Sequence, residues 1–273
     1  MSHMRFTKMS GAGNDFVVFD NRRGGIPEER AAFVRRVCAR RLGVGADGAL
    51  FVEQAASADF RMRYYNADGG EAEMCGNGGR CIARYAYLNK IAGAKMCFET
   101  LAGCHRAEVI GERVRLQMVP PKDIRLQFEI GMDANELTVN FINTGVPHVV
   151  LLADRIDDIE VPTLGRKIRE HVAFAPGGAN ANFVQVVDPG HLKIRTYERG
   201  VEDETLACGT GTVAAALVGA LLGRLESPVE AITRSGLTLT VYFDLEGEKF
   251  QEVYLEGNAE VIFEGTLAQD GME

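Results

Sequence analysis

Alternating hydrophobic and polar positions along the chain predict many short strands and only a few helices. In segment 60–65, Phe60, Met62 and Tyr64 alternate with arginines, which is typical of a strand that buries one face. Comparable short segments recur along the whole length. We predict strands at 16–20, 49–53, 60–65, 114–119, 137–142, 149–152, 183–187, 192–197, 237–243, 252–255 and 260–263.

One helical pattern is found early in the chain. Segment 27–42 begins with proline and is followed by Gly43, a start and a stop signal for a helix. Helical spacing places Val34, Val37, Cys38 and Leu42 on one face of it. We therefore predict a helix over 27–42 that turns this face, including Cys38, toward the core.

The two halves of the chain repeat one another at a single offset. Cys75 and Cys208 each open a Cys-Gly-x-Gly segment, and each precedes an apolar helical segment, 78–90 and 211–224. Further pairs keep the same offset: Gly76 and Gly209, Gly78 and Gly211, Thr100 and Thr233, Gly103 and Gly236, Asp47 and Asn180. Several matches at one offset indicate an internal duplication.

This repeat predicts an α+β fold with two pseudo-symmetric domains. Each domain is expected to form a mixed β-sheet or barrel around its central helix, with the active site in the interdomain cleft. We assign residues 4–119 to the first domain and 120–261 to the second, joined at a Pro-Pro pair. The last segment, 262–273, is a candidate to return and complete the first domain. Residues 1–3 are typical of a vector-derived tag.

Composition narrows the possible partners. The net charge of −8 leaves no basic surplus for nucleic acid or an anionic membrane, and the longest apolar run, 213–223, is about half of a membrane span. Because no secretory signal is evident, we expect a cytoplasmic protein that does not need disulfides between its six cysteines. The cysteines and histidine between positions 75 and 105 match no standard zinc spacing, so no metal is expected.

Two glycine-rich segments resemble nucleotide-binding motifs but lack their context. Segment 43–48 fits G-x-G-x-x-G, yet it follows a predicted helix and precedes a strand, the reverse of a dinucleotide-binding turn. Segment 11–15 lacks the Gly-Lys-Ser/Thr ending of a phosphate-binding loop. No nucleotide cofactor is therefore expected.

The two cysteines that precede helices are the candidate catalytic groups. A thiol at a helix N-terminus lies beside unpaired N–H groups and the positive end of the helix dipole, which both favour the thiolate. The same N–H groups bind a carboxylate. If Cys75 and Cys208 face one amino acid, one thiolate removes the α-proton and the other thiol protonates the opposite face. Structural, redox or metal-binding cysteines are the alternatives.

Seven ordered motifs resemble those of the diaminopimelate epimerase family. They are 9–16, 66–69, 73–81, 145–148, 180–183, 197–200 and 207–211, and together they extend over the whole chain. The resemblance implies two pseudo-symmetric α/β domains, a homodimer, no cofactor, and interconversion of LL- and meso-diaminopimelate. This reaction belongs to lysine and peptidoglycan biosynthesis.

The resemblance also implies roles for individual residues. Cys75 and Cys208 would be the base and the acid, and His148 and Glu198 would tune these thiols. The backbones of four residues would hold the reacting carboxylate: Gly76, Asn77, Gly209 and Thr210. Five side chains would bind the other amino and carboxylate groups: Asn14, Asn66, Asn180, Glu198 and Arg199.

Two positions depart from the common family pattern. Gly48 stands where many members have a substrate-binding glutamine, and Val146 stands where asparagine is common. Each change removes a side-chain hydrogen bond of about 1 kcal/mol. Another amino-acid racemase of this fold, such as a histidine racemase, is therefore an alternative. A proline racemase is disfavoured, because that family has histidine where this chain has Asn77.

Overall fold

The structure is a computed structural model that describes residues 4–132 and 135–268. The predicted tag, 1–3, and the end of the predicted returning segment, 269–273, lie outside the described residues.

Contacts between residues divide the chain into two compact units. The first runs up to Leu116 and resumes at Gly257, and the second is Gln117–Glu256. The limits predicted from the sequence, 119/120 and 261/262, lie a few residues later. Each unit has its own set of strands and its own helices.

A mixed sheet forms most of the first unit, in the order β18–β1–β2–β3–β4–β6–β7–β8, with the short β5 paired to β4. β2 and β3 are parallel, as are β4 and β6, and the other pairs are antiparallel. The C-terminal strand therefore returns to the first unit, where it pairs with β1. The strands are β1 Met4–Gly11, β2 Asn14–Asp20, β3 Gly48–Glu53, β4 Phe60–Asn66, β5 Glu71–Ala72, β6 Lys95–Thr100, β7 Gly103–Ile110, β8 Arg113–Gln117 and β18 Glu260–Leu267.

Strand β3 separates two cores in this unit. Helix α1, Arg30–Cys38, packs with one core, and helix α2, Gly76–Leu88, packs with the other. The pleat of β3 sends Leu50 and Val52 toward α2 and Phe51 toward α1. Burial on both faces explains why β3 is continuously apolar instead of alternating.

The second unit repeats this arrangement with the order β9–β10–β11–β12–β13–β15–β16–β17 and β14 paired to β13. β11 and β12 are parallel, as are β13 and β15, at the positions of the two parallel pairs in the first unit. The strands are β9 Lys122–Met132, β10 Asn135–Asn143, β11 Pro147–Leu152, β12 Asn180–Asp188, β13 His191–Glu198, β14 Asp203–Thr205, β15 Val229–Ile232, β16 Thr238–Glu246 and β17 Lys249–Asn258.

Two helices cover the second sheet. Helix α3, Val161–Arg169, packs with Phe183 and Tyr197 in one core. Helix α4, Gly209–Leu221, is apolar nearly all round and buried from Gly211 to Ala220. These observations confirm the predicted α+β class with one buried helix behind each Cys-Gly-x-Gly segment. Helices α2 and α4 each begin directly after their cysteine, two residues before the predicted helical segments 78–90 and 211–224.

The first helix is shorter than its sequence pattern predicted. α1 ends at Cys38, because Ala39 leaves helical geometry for an extended conformation with ψ 116°. Cys38 is buried as predicted, but Leu42 is 91% exposed. The prediction that Leu42 joins the core was wrong, since a residue beyond the end of a helix no longer shares its face.

The hairpin of β6 and β7 contains a disulfide that was not expected. Cys97 and Cys104 are joined across the two strands, with an S–S distance of 2.05 Å. The hairpin turns between Thr100 and Gly103, which brings cysteines seven positions apart in sequence next to each other. The other four cysteines carry thiols.

Candidate active-site residues

Cys75 caps helix α2 at the end of an extended segment. Its backbone has φ −137° and ψ 120°, and its Sγ accepts a hydrogen bond from the Gly78 N–H at an S–N distance of 3.4 Å. The thiol therefore lies at the positive end of a 13-residue helix. A Cβ added at Gly76 would meet no atom within 4 Å, so the backbone next to the thiol is open to a ligand.

Side-chain hydrogen bonds connect the start of α2 to the starts of β2 and β3. Asn77 Nδ2 donates to Asn14 Oδ1 at 2.6 Å, and Asn14 Nδ2 donates to Asp47 Oδ2 at 3.0 Å. Asp47 also pairs with Arg40 at 2.9 Å. Two predicted substrate-binding residues, Asn14 and Asn77, are thus held together at the helix that Cys75 caps.

Arg80 is a fully buried cation in this helix. Its Nη2 donates to Asn77 Oδ1 at 2.7 Å, and its Nη1 donates to the Gly76 carbonyl at 3.4 Å. Within the described part of the chain its Nε has no partner. Burial lowers the pKa of Arg80, whereas negative charge on Cys81 and Cys75 would raise it. Burial raises the pKa of the neighbouring Cys81 thiol to about 12.

Asn66 and Gly48 lie opposite each other on neighbouring strands. Asn66 ends β4, is exposed, and accepts a hydrogen bond from the Tyr64 hydroxyl at an O–O distance of 2.5 Å. Gly48 starts β3 directly beside it. The departure from the family pattern at position 48 is therefore next to a predicted substrate-binding side chain.

Cys208 precedes helix α4 as Cys75 precedes α2, but its neighbours differ. Its backbone is extended, with φ −123° and ψ 111°, and its Sγ lies 3.6 Å from Thr210 Oγ1. Thr212 Oγ1 donates to the Cys208 carbonyl at 2.9 Å, and Thr144 Oγ1 donates to the Thr210 carbonyl at 3.0 Å. Threonine hydroxyls thus take the place that amides and a guanidinium occupy around α2.

His148 is buried in a neutral hydrogen-bond network behind this helix. Its Nδ1 lies 3.1 Å from Asn182 Nδ2, which also donates to the Val149 carbonyl at 2.9 Å. Thr196 Oγ1 donates to Asn182 Oδ1 at 3.0 Å. Burial, aided by the charge of Arg199, lowers the pKa of His148 to about 3. The imidazole is therefore neutral, and the amide donor at Nδ1 assigns its hydrogen to Nε2.

Asn182 also connects His148 to the start of α4. A Cβ added at Gly211 would overlap Asn182 Oδ1 and would lie 3.2 Å from Cys208 Sγ. Glycine at position 211 thus lets the helix approach this amide closely.

The remaining predicted residues of this unit surround the junction of β12 and β13. Asn180 Nδ2 donates to the Pro147 carbonyl at 3.2 Å, and its Oδ1 accepts from the Arg199 N–H at 2.8 Å. Arg199 Nη1 donates to the Gly177 carbonyl at 3.3 Å. Burial raises the pKa of Glu198, the last residue of β13. Asn180 thus ties the backbone that carries Glu198 and Arg199 to the strand that carries His148.

The predicted residues fall into two sets, one in each unit. The first unit holds Asn14, Asn66, Cys75, Gly76 and Asn77, and the second holds His148, Asn180, Glu198, Arg199, Cys208, Gly209 and Thr210. Val146 lies in the loop before β11, where its carbonyl accepts from the Thr144 N–H at 3.2 Å.

Sequence reasoning missed several residues of these networks, among them Tyr64, Arg80 and Asn182, and also Thr144, Thr196 and Thr212. Arg80 and Asn182 lie inside two of the quoted motifs, 73–81 and 180–183, so attention to the burial of their polar groups could have found them. The sequence did not distinguish Tyr64, because the alternating pattern of segment 60–65 predicts the same buried face for Phe60, Met62 and Tyr64.

Across 4–132 and 135–268, no group of three or more His, Cys, Asp or Glu side chains is arranged to hold a metal ion. No helix in these ranges is long and apolar enough to cross a membrane.

Comparison with known proteins gives similarity over nearly the whole chain. Residues 6–122 and 140–262 match the family model described as diaminopimelate epimerase. The chain is 45% identical to the diaminopimelate epimerase of Aquifex aeolicus, with 99% of this chain and 100% of that protein covered. It is 46% identical to the diaminopimelate epimerase of Chlorobaculum tepidum, with 95% and 99% covered.

Solved structures share the fold at low sequence identity. A PhzF-family phenazine biosynthesis protein of Bacillus anthracis has a TM-score of 0.74 and 18% identity, with 98% of this chain and 100% of that chain covered. A hydroxyproline epimerase of Agrobacterium vitis with bound trans-4-hydroxy-L-proline has a TM-score of 0.68 and 16% identity, with 99% and 95% covered. At these identities the likeness supports the fold alone.

Proposed function

Because the chain belongs to the diaminopimelate epimerase family, we propose that it interconverts LL- and meso-diaminopimelate by moving the α-proton between two thiols. The observation that carries this proposal is the matched setting of Cys75 and Cys208. Each is an extended residue directly before a 13-residue helix, in a Cys-Gly-x-Gly segment, in its own unit. Membership of the family makes the protein an isomerase of small molecules.

The proposed reaction needs one thiolate and one thiol on opposite sides of the substrate Cα. The thiolate takes the α-proton, and the thiol of the other unit then gives its proton to the opposite face of the carbanion. The centre is inverted and the two sulfur atoms exchange protonation states, so the same site runs in both directions. In this proposal Cys75 and Cys208 flank the substrate in the interdomain cleft, and the reaction uses no cofactor.

The helix N-termini would stabilise the charge that develops in this reaction. Removal of the α-proton pushes electrons into the α-carboxylate, and backbone N–H groups at a helix start are preorganised for such an anion. These donors would come from Gly76 and Asn77 in one unit and from Gly209 and Thr210 in the other. The open space at Gly76 and the contact of Cys208 Sγ with Thr210 support this assignment.

The polar side chains would bind the rest of the substrate. The guanidinium of Arg199 suits a carboxylate, and the carboxyl of Glu198 suits an ammonium group. Asn14, Asn66 and Asn180 would supply amide contacts. His148 and Glu198 would tune the thiols, because a neutral imidazole can donate its Nε2 hydrogen without adding charge and a carboxyl of raised pKa can hold a proton.

We further propose that the protein acts in the cytoplasm as a homodimer. Strand β18 exposes Val261, Ile262 and Phe263 by 39, 53 and 46%. Three consecutive apolar side chains on a surface strand are a candidate self-association surface. Sedimentation velocity should give a dimer for the wild type and a monomer for Ile262→Asp. A wild-type monomer at micromolar concentration would contradict this part of the proposal.

Exchange of the α-hydrogen with solvent is the decisive test of the proposed reaction. LL-diaminopimelate incubated with enzyme in D₂O should gain deuterium at one α-carbon and yield the meso isomer, followed by NMR and chiral chromatography. Histidine and proline in parallel reactions test the alternative racemases, and zinc analysis tests the metal-binding alternative. Absence of exchange with diaminopimelate, under reducing conditions, would refute the proposed function.

A further inference from the structure

Glycine at position 48 is required by its neighbours, not by its backbone conformation. Its φ lies outside the left-handed region, but a Cβ at this position would lie 2.6 Å from the Tyr65 carbonyl oxygen and 2.7 Å from Tyr64 Cε2. Real Cβ atoms do not approach other atoms so closely. The space where a side chain of residue 48 would begin is therefore filled by the ring of Tyr64 and by the β4 backbone.

The Tyr64 ring is fixed in that space. Its centroid lies 6.0 Å from that of Phe16, in an edge-to-face arrangement at 76°. It packs against the same core as Cys75, and it is on the face of β4 that carries Phe60 and Met62. The ring thus extends the core around α2 toward the end of β4.

The hydroxyl of Tyr64 orients Asn66. It donates to Asn66 Oδ1 at 2.5 Å, and within the described residues Asn66 Nδ2 donates to nothing. With the oxygen occupied, the exposed side of this amide presents two N–H donors. Burial raises the pKa of Tyr64, and the negative charges of Asp47 and Asp68 raise it further. The phenol therefore keeps its proton, and remains the donor, over the whole working pH range.

We propose that Tyr64 is a positioning residue that fixes the Asn66 amide with its N–H groups outward, so that this corner of the site binds a carboxylate of the substrate. The Asn66 amide, held by Tyr64, would supply a hydrogen bond to the substrate in place of the glutamine side chain that Gly48 lacks. This inference rests on the proposed function and specifies one of its subsites: a fixed donor for a carboxylate, not an acceptor for an ammonium group.

The first test removes only the hydroxyl. Tyr64→Phe should raise the KM for diaminopimelate roughly three- to tenfold, the range of one hydrogen bond, with kcat within about twofold. The matched control is Tyr65→Phe, the next residue on the opposite face of the same strand, which should leave both constants unchanged. Equal KM values for the two variants, each with a wild-type melting temperature, would overturn the inference.

The second test asks whether Tyr64 acts through Asn66. Asn66→Ala should raise KM by itself, and adding Tyr64→Phe to it should change KM no further, because the hydroxyl then has no amide to orient. Independent, multiplying effects of the two substitutions would refute the positioning role. A wild type that fails to exchange the α-hydrogen of diaminopimelate would refute the proposed function instead, so the two failures are distinguishable.

Discussion

The starts of helices α2 and α4 have the same backbone arrangement, but the polar side chains around them differ in charge. Both are 13 residues long and both are preceded by an extended cysteine. Behind Cys75 lies a buried guanidinium, Arg80, hydrogen-bonded to Asn77. Behind Cys208 lies a neutral imidazole, His148, hydrogen-bonded to Asn182. The duplication kept the backbone that presents N–H groups to an anion, whereas the groups around each thiol diverged.

This difference makes the two thiols electrostatically inequivalent. A permanent buried cation favours a thiolate beside it, whereas neutral groups in an apolar setting favour a thiol. A reaction that needs one base and one acid at the same pH is served by such an asymmetry. We therefore expect Cys75 to be the more readily ionised of the two thiols. Four measurements test this difference between the two helix starts.

The largest expected effect is the loss of either thiol. Cys75→Ala and Cys208→Ala should each lower turnover of diaminopimelate by roughly three orders of magnitude, the scale of general acid–base catalysis. Cys38→Ala is the control, because that thiol is buried and burial raises its pKa to about 12. Turnover is followed by NMR in D₂O. Either site variant with more than a tenth of wild-type activity would break the idea of two essential thiols.

Alanine substitutions at Gly78 and Gly211, which occupy equivalent positions in α2 and α4, test how tightly the two helix starts are packed. Gly78→Ala should be near neutral, because its Cβ would contact the flexible ends of Leu50 at 3.1 Å and Met62 at 3.5 Å. Gly211→Ala should lower the free energy of unfolding by about 2 kcal/mol, because its Cβ would overlap the fixed amide of Asn182. Urea unfolding measures both. Equal losses would show that the two helix starts are packed alike.

The buried imidazole should make the second unit sensitive to acid. The folded-state pKa of His148 is about 3, below the ordinary 6.5, so below pH 6.5 the unfolded chain takes up a proton that the folded chain refuses. Stability from this group is complete above pH 6.5 and falls as the pH drops toward 3. Between pH 6.5 and 5 the wild type should lose about 2 kcal/mol more than His148→Gln in urea unfolding. If the wild type and His148→Gln lose the same free energy of unfolding over this pH range, His148 is not the group that titrates.

The smallest effect concerns the charge behind Cys75. In the Cys208→Ala background, Arg80→Met should shift the midpoint of Cys75 alkylation by iodoacetamide upward by about one pH unit. Arg84→Met is the control on the same helix, where the guanidinium donates to the Ala259 carbonyl. Equal midpoints for the two variants would contradict the charge argument.

The sequence alone determined the parts of this protein that depend on local rules. The repeat of Cys-Gly-x-Gly before an apolar helix identified the duplication, both thiols and the central helices, because caps and periodicity are local properties. Ordered motifs identified the family. Patterning predicted most of the strands in the buried sheet. It missed seven of the described strands, β1, β5, β6, β7, β9, β14 and β15. Of these, β9, Lys122–Met132, is largely exposed and has a weak apolar pattern.

The surroundings of each thiol depend on contacts that form only in the folded chain. Leu42 has the right period for a buried helix face, but the helix ends before it, and Cys97 meets Cys104 only because a hairpin folds back between them. The burial of Arg80, the neutral state of His148 and the ring of Tyr64 over Gly48 all arise from contacts between distant segments. Such contacts set local dielectric, charge and free space, and these quantities are not properties of any single stretch of sequence.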